Sequence, residues 1–416
     1  MNLSLPMRAS ACPGLYRLAP ARDGGICRVK LDLGTMTAAE ARALAAAAQR
    51  FGNGIVEITN RANLQLRGIA ESDAEALADT LVAAGLGAPS PGADDVRNVM
   101  VSPAYGLDPA AMLDAGPLAR QVLALLAGEP RYHLLSPKFS ILVDGGEALA
   151  PPAHAHDLWL AALGDGRLAF GLAGSPADGA LATLPVAHGL DLVAAILDFL
   201  VLKRAARLRD LAADDRQALL ATLGARLPLQ ETDWRRLPAS GAPLGVLPQR
   251  GGAMVGGRPV LGRLDPAALL ALAHLAQAHG DGTLRLTPWQ SVLLPQIRDA
   301  VAVETRLRDL GLVIDPRAAA ASLIACSGAT GCRSALADTQ ADAKTLVGLV
   351  DQPGLHLSGC EKSCASASQR PVTLVAVAPG RYDLYRGAND QAGRFGMRLG
   401  DGLSLAQAAA VLAAKA

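Results

Sequence analysis

The chain has 416 residues, 51% apolar and 19% charged, which is enough for two or three domains with proper cores and excludes a disordered chain. A net charge of +1 with 3% aromatic residues gives neither the field nor the stacking surface of a general nucleic-acid binder. The amino end, MNLSLPMRASACPG, has no sustained apolar stretch, and the most apolar segment, LDLVAAILDFLVLKRAARLRD, is broken by Asp198 and turns basic at Lys203, so a cytoplasmic protein without a membrane span is expected.

The first elements occur twice. LGTMTAAEARALAAAAQRFGNGIVEITNRANLQLRGI, from Leu33, aligns without a gap on LGRLDPAALLALAHLAQAHGDGTLRLTPWQSVLLPQI, from Leu261. Gly34 matches Gly262, Leu44 matches Leu272, and Thr59 matches Thr287. Each copy predicts an alanine-rich amphipathic helix, a Gly-x-Gly turn, an alternating strand, a short turn and a second strand. Two helix-on-sheet units related by a pseudo-twofold axis, each followed by a larger lobe, make an α+β architecture. The expected divisions are 1–75 and 236–310 for the units, with lobes at 76–235 and 311–416.

The copies differ in charge. Arg28, Lys30, Arg61 and Arg67 of the first stand opposite Gly256, Arg258, Trp289 and Pro295 of the second. Strand alternation puts Arg61, Asn63, Gln65 and Arg67 on one face, and none of these is an acid. An anion site is expected there, with a solvated strand face as the alternative. Trp289 and Pro295 are expected to pack as scaffold.

Further along, CSGATGC (326–332) and CEKSC (360–364) place Cys326, Cys332, Cys360 and Cys364 as C-x5-C and C-x3-C pairs. In a reducing compartment such a group points to a metal rather than to disulfides. Thiolates suit zinc or an iron–sulfur cluster. The x5 loop is longer than a zinc knuckle, and its small residues can wrap an inorganic core with N–H groups turned to sulfur, so a [4Fe–4S] cluster is expected and zinc is the alternative. Cys12 and Cys27 have no spacing partner and read as ordinary apolar cysteines. His133, His154, His156 and His356 are the candidates to hold a mononuclear non-haem iron, but PPAHAHDLW reads as a surface loop and none is assigned. No G-x-G-x-x-G fingerprint marks a nicotinamide or flavin site, so electrons are expected from a separate donor, a reductase or a ferredoxin.

With these motifs the sequence resembles the nitrite and sulfite reductase family over nearly its whole length. TNRANLQLRG is similar to that family's TNRQ-containing strand, RNVMVSP (with Arg97) to its RN-x-x-x-x-P segment, SPKFSILVDG (with Lys138) to its lysine-bearing strand, and ICRVKLDLG (with Arg28 and Lys30) to the strand of its leading cations. The resemblance implies duplicated ferredoxin-like units and a [4Fe–4S] cluster on the cysteine pairs, with Cys364 bridging to sirohaem iron. It also implies that Arg28, Lys30, Arg61, Arg67, Arg97 and Lys138 face tetrapyrrole carboxylates. Ser140 replaces the family's second lysine, and Arg67 replaces a histidine. CPGLYRLAPARDGGICRVKL followed by TNRANLQLRGI is closer to the precorrin-3B synthase branch. There the tetrapyrrole precorrin-3A is the substrate, hydroxylated with O2 and closed to a lactone in aerobic cobalamin biosynthesis. A sirohaem-dependent nitrite or sulfite reductase and a non-catalytic iron–sulfur electron carrier are the competing readings.

Overall fold

The computed structural model describes residues 12–151, 154–237, 242–366, 368–387 and 393–414. The architecture is α+β, built among the described residues on four sheets. In the first unit, Thr37 caps the helix Ala38–Phe51 through a reciprocal box with Glu40. In the second, Asp265 and Pro266 start the helix Pro266–His279. The inward faces of these helices carry Ala41, Leu44, Ala48, Leu272 and Ala276, and both units share one core. Small side chains let the two helices and their sheets approach closely.

The repeat is conserved in the backbone. Ala62 and Gln290, at matching positions, both take a left-handed conformation (φ 53° and 61°), as do Leu33 and Leu261 (φ 54° and 61°). In each turn the threonine hydroxyl (Thr59 or Thr287) accepts the backbone N–H two and four residues on. The units also exchange edges. Arg263–Leu264 of the second closes the first sheet beside Val56–Ile58, and Thr35–Thr37 of the first closes the second sheet beside Thr283–Leu286. Pairing each edge with its partner unit removes unpaired backbone groups.

Both lobes use one sheet plan that the sequence did not reveal. In the first, Val99–Val101, Ile141–Asp144 and His156–Ala162 run parallel, and Arg167–Gly174 and Ala182–Pro185 follow antiparallel. In the second, Ile324–Ala325, Leu355–Ser358 and Val372–Ala378 run parallel, then Arg381–Arg386 and Met397–Leu403 antiparallel. Among the described residues no helix is long and apolar enough to cross a membrane.

Candidate functional site

A cavity of about 540 Å³ opens between the first unit and the first lobe. Arg28, Arg61 and Lys138 line it, joined by Arg207 and Arg209 and by Asn63, Ser140 and His156. Arg28 spends two donors on the neutral amide of Gln65 (3.2 and 2.6 Å), and burial lowers its pKa. Among the described residues the side chain of Arg61 makes a single long contact, to the Ala155 carbonyl (3.5 Å). Burial first, then the neighbouring charge of Arg207, lowers the pKa of Arg61. Asp157 is the one acid in the cavity wall among the described residues, and it is already committed to Arg207 at 2.8 Å and to the backbone of Ser140 and Leu208. A half-buried group of like charges with this little compensation attracts negative charge.

The other expected cations lie elsewhere. Arg97 lines an adjoining crevice that shares Arg61 and Asn63 with the cavity, and it is paired with Asp32 and with Asp94 at 3.3 Å. Lys30 is buried; its ammonium donates to the carbonyls of Asp94 and Asp95, both at 2.8 Å, and burial pushes it down to about 8. Its counterpart Arg258 donates to the carbonyls of Ala320, Ala321 and Leu323. In each unit this position pins the segment that leads into the following lobe. Arg67 is 2% exposed and paired with Asp23 (2.8 Å) and Glu57 (3.3 Å). Lys30 and Arg67 therefore do not line the cavity. The polar strand face gains acids from neighbours in space, Glu57 from the adjacent strand and Asp23 from a turn, which alternation along one strand does not show.

Arg207 and Arg209 were missed, although LKRAARLRD ends in a basic run that offered a signal. His156 is not in a surface loop: it begins the strand His156–Ala162 and is 2% exposed, with neither ring nitrogen hydrogen bonded among the described residues. Burial, then the charges of Arg61 and His154, pushes its imidazole down to about 3. His356 is also buried, on Leu355–Ser358, and His133 meets the Ala127 carbonyl at 3.0 Å.

The four cysteines sit at the carboxyl ends of two adjacent parallel strands of the second lobe. Cys326 follows Ile324–Ala325 and its N–H donates to Leu357 (3.2 Å), while Cys360 follows Leu355–Ser358 across Gly359. The N–H of Gly359 donates to Cys326 Sγ at 3.1 Å, and Thr339 Oγ1 lies 3.4 Å from the same sulfur. A Cβ at Gly359 would stand 2.5 Å from Ala335 Cβ, so glycine lets the loops meet. Cys332 ends the turn Gly328–Gly331, and Cys364 is exposed. All four are free thiols. Among the described residues no three His, Cys, Asp or Glu side chains gather as a mononuclear site needs. Four free soft ligands, with the Gly359 N–H turned to the sulfur of Cys326, fit an iron–sulfur cluster, whose thiolates hold separate irons.

A polar chain joins the two places. Arg28 donates to Gln65, Gln65 donates to Glu57 (3.1 Å), Arg67 donates to Glu57, and Arg67 reaches Ser327 Oγ (3.5 Å) and the Gly331 carbonyl (3.3 Å) in the Cys326–Cys332 loop.

Residues 19–84 and 247–307 match the nitrite/sulfite reductase ferredoxin-like half domain, and residues 92–209 match the nitrite and sulphite reductase 4Fe-4S domain. Over 405 residues the chain is 31% identical to a precorrin-3B synthase from a Sinorhizobium species, covering 91% of this chain and 83% of that protein. The chain belongs to the nitrite and sulfite reductase family. Within this family it is also 30% identical to a chloroplastic ferredoxin–nitrite reductase of Zea mays, over 81% of this chain and 67% of that one. The fold matches the Mycobacterium tuberculosis NirA protein with a TM-score of 0.70 at 22% identity, over 90% of this chain and 77% of that chain. The family's 4Fe-4S domain matches the first lobe, whereas the cysteines lie in the second. The two lobes share one sheet plan. As a member of this family the chain is an oxidoreductase with an iron–sulfur cluster.

Proposed function

We propose that this family member is a precorrin-3B synthase-type monooxygenase. Precorrin-3A, with eight carboxylates on its rim, occupies the cavity and is hydroxylated at a meso carbon, and a ring acetate closes the lactone. One oxygen atom of O2 enters the substrate and the other leaves as water, with two electrons and two protons supplied. The observation that carries this reading is the cavity itself. It holds Arg28, Arg61, Lys138, Arg207 and Arg209 around a space of about 540 Å³, but has Ser140, whose hydroxyl has no partner among the described residues, where the resemblance leads one to expect a second lysine. Cations spread around a rim suit a ring of carboxylates, which guanidinium groups bind in a bidentate manner. A small oxyanion drawn to one metal would need them concentrated.

In this reading Asp157 holds Arg207 in place, and Lys30 keeps the cavity floor fixed to the segment at Asp94. Cys326, Cys332, Cys360 and Cys364 hold the cluster, and a cluster bound there supplies electrons one at a time from an external donor. Arg67 and Glu57 keep its loop seated against the first sheet.

The similarity to ferredoxin–nitrite reductases supports a second reading, in which the same cations hold sirohaem carboxylates. The visible spectrum of anaerobically purified protein separates the two, because sirohaem adds strong bands to the broad cluster absorption. Conversion of precorrin-3A in the presence of O2 and a reductant tests the first directly.

A further inference from the structure

His156 is anomalous in its setting. Nearly all buried polar side chains in folded proteins have a hydrogen-bond partner, and each exception needs a physical reason. Among the described residues both ring nitrogens of this imidazole are shielded from water and unpartnered, with the residue 2% exposed, yet it lines a cavity rather than lying in solid core. Its surroundings are basic, with Arg61 and His154 as its charged or titratable neighbours, so it stays neutral. A neutral imidazole carries one N–H and one lone pair. Among the described residues the side chain of Arg61, beside it, makes only the 3.5 Å contact to Ala155. Two adjacent groups with unused donors, at the wall of one cavity, lack the same partner.

We propose that His156 is a specificity-determining residue that contacts the ligand: its N–H donates to a ligand carboxylate that Arg61 pairs with, and its second nitrogen accepts from a ligand N–H or hydroxyl. The chemical class that meets both demands is a ring bearing carboxylates and pyrrolic N–H groups. A bare oxyanion meets only the first. The cavity thereby distinguishes a carboxylated macrocycle from other anions of equal charge, because the arginines read charge and His156 reads an acceptor beside a donor. Placing His156 at the first residue of a strand fixes its backbone through pairing with Gly174, so the imidazole is presented without a loop to order.

This inference rests on the tetrapyrrole reading of the cavity, and the test separates the two. Uroporphyrin, a stable tetrapyrrole with acetate and propionate side chains, is titrated by equilibrium dialysis into the cluster-loaded full chain as wild type, His156→Phe, His156→Gln and Arg61→Gln. Loss of one charge-assisted hydrogen bond predicts that His156→Phe binds roughly tenfold to a hundredfold more weakly, with His156→Gln in between because an amide also donates and accepts. In the wild type the imidazole nitrogen resonances of His156 shift when uroporphyrin is added. If Arg61→Gln weakens binding while both His156 variants bind as wild type, the His156 role is overturned and the cavity reading stands. If wild type does not bind, or Arg61→Gln is without effect, the cavity reading fails and takes this inference with it. Should His156→Phe not fold, His156→Gln and the wild-type resonances decide: an unchanged affinity with unshifted nitrogens overturns the proposal.

Discussion

Arg67 and Gly331 meet across the boundary between the first ferredoxin-like sheet and the cysteine-bearing lobe. The guanidinium Nη2 donates to the Gly331 carbonyl at 3.3 Å, and a Cβ on Gly331 would lie only 2.4 Å from that nitrogen. The same guanidinium is paired with Asp23 and Glu57. Removing one partner of such a buried group leaves the others uncompensated. Arg67→Met is expected to cost about 3 kcal/mol of stability and to loosen the Cys326–Cys332 loop. Denaturant midpoints and iron retention on exposure to a chelator check this. Uroporphyrin affinity should change little, because Arg67 does not line the cavity.

Cluster ligation by Cys326, Cys332, Cys360 and Cys364 predicts that serine at any one of them removes most bound iron and acid-labile sulfide. Cys27→Ser should keep the full complement, since that thiol is buried in the core of the two units and burial pushes its pKa up to about 12. Cys12→Ser should also keep it, although Cys12 lines the cavity rather than an apolar site. Full iron and sulfide in every member of the quartet's series would refute the assignment.

Much of this was legible in the sequence because it is local or repeated. The helix–turn–strand units follow from periodicity, and the match of Thr59 with Thr287 and of Leu33 with Leu261 extends to hydroxyl caps and left-handed backbone. The exchanged strands escaped notice because Arg263–Leu264 and Thr35–Thr37 are too short to show alternation. Lys30 reads as a free cation in ICRVKLDLG. Its partners are two carbonyls of a helix end more than sixty residues on, and no side-chain pattern records a carbonyl. Arg207, which precedes the short turn Leu208–Asp210, is held at the cavity by Asp157 on the strand His156–Ala162, some fifty residues earlier.

The division of roles between the units gives a further expectation. Trp289 packs with Ala104, Leu149, Met254 and Leu293, tying the second unit to the first lobe. Trp289→Ala should lower stability by about 2 kcal/mol through lost burial, read from thermal unfolding. Turnover per folded molecule should fall less than it does in Arg61→Gln, and the reverse order would contradict the scaffold role.

Glu147, fully buried after the strand Ile141–Asp144, accepts from the Gly145 N–H at 2.9 Å, and its other oxygen has no hydrogen bond among the described residues. Burial, then the charge of Asp144, pushes its carboxyl up from 4.5 to about 8. The folded state thus keeps a proton that the unfolded state releases, so this group's contribution to stability falls as pH rises from 4.5 towards about 8 and then levels. Glu147→Gln fixes the neutral form. Its advantage over wild type should be small near the lower limit and grow to about 2 kcal/mol at the upper one, measured by urea midpoints across that range. An advantage that shrinks with rising pH would overturn the reading.

The most direct test of the proposed function is turnover of precorrin-3A under isotopically labelled dioxygen, with the cluster-loaded protein and a reducing donor, followed by mass spectrometry. The expected product carries one labelled oxygen atom and is lost when Arg61 is changed to Gln. Unchanged precorrin-3A, with stoichiometric reduction of nitrite or sulfite by the same preparation, would show instead that the cavity serves a sirohaem-dependent reductase.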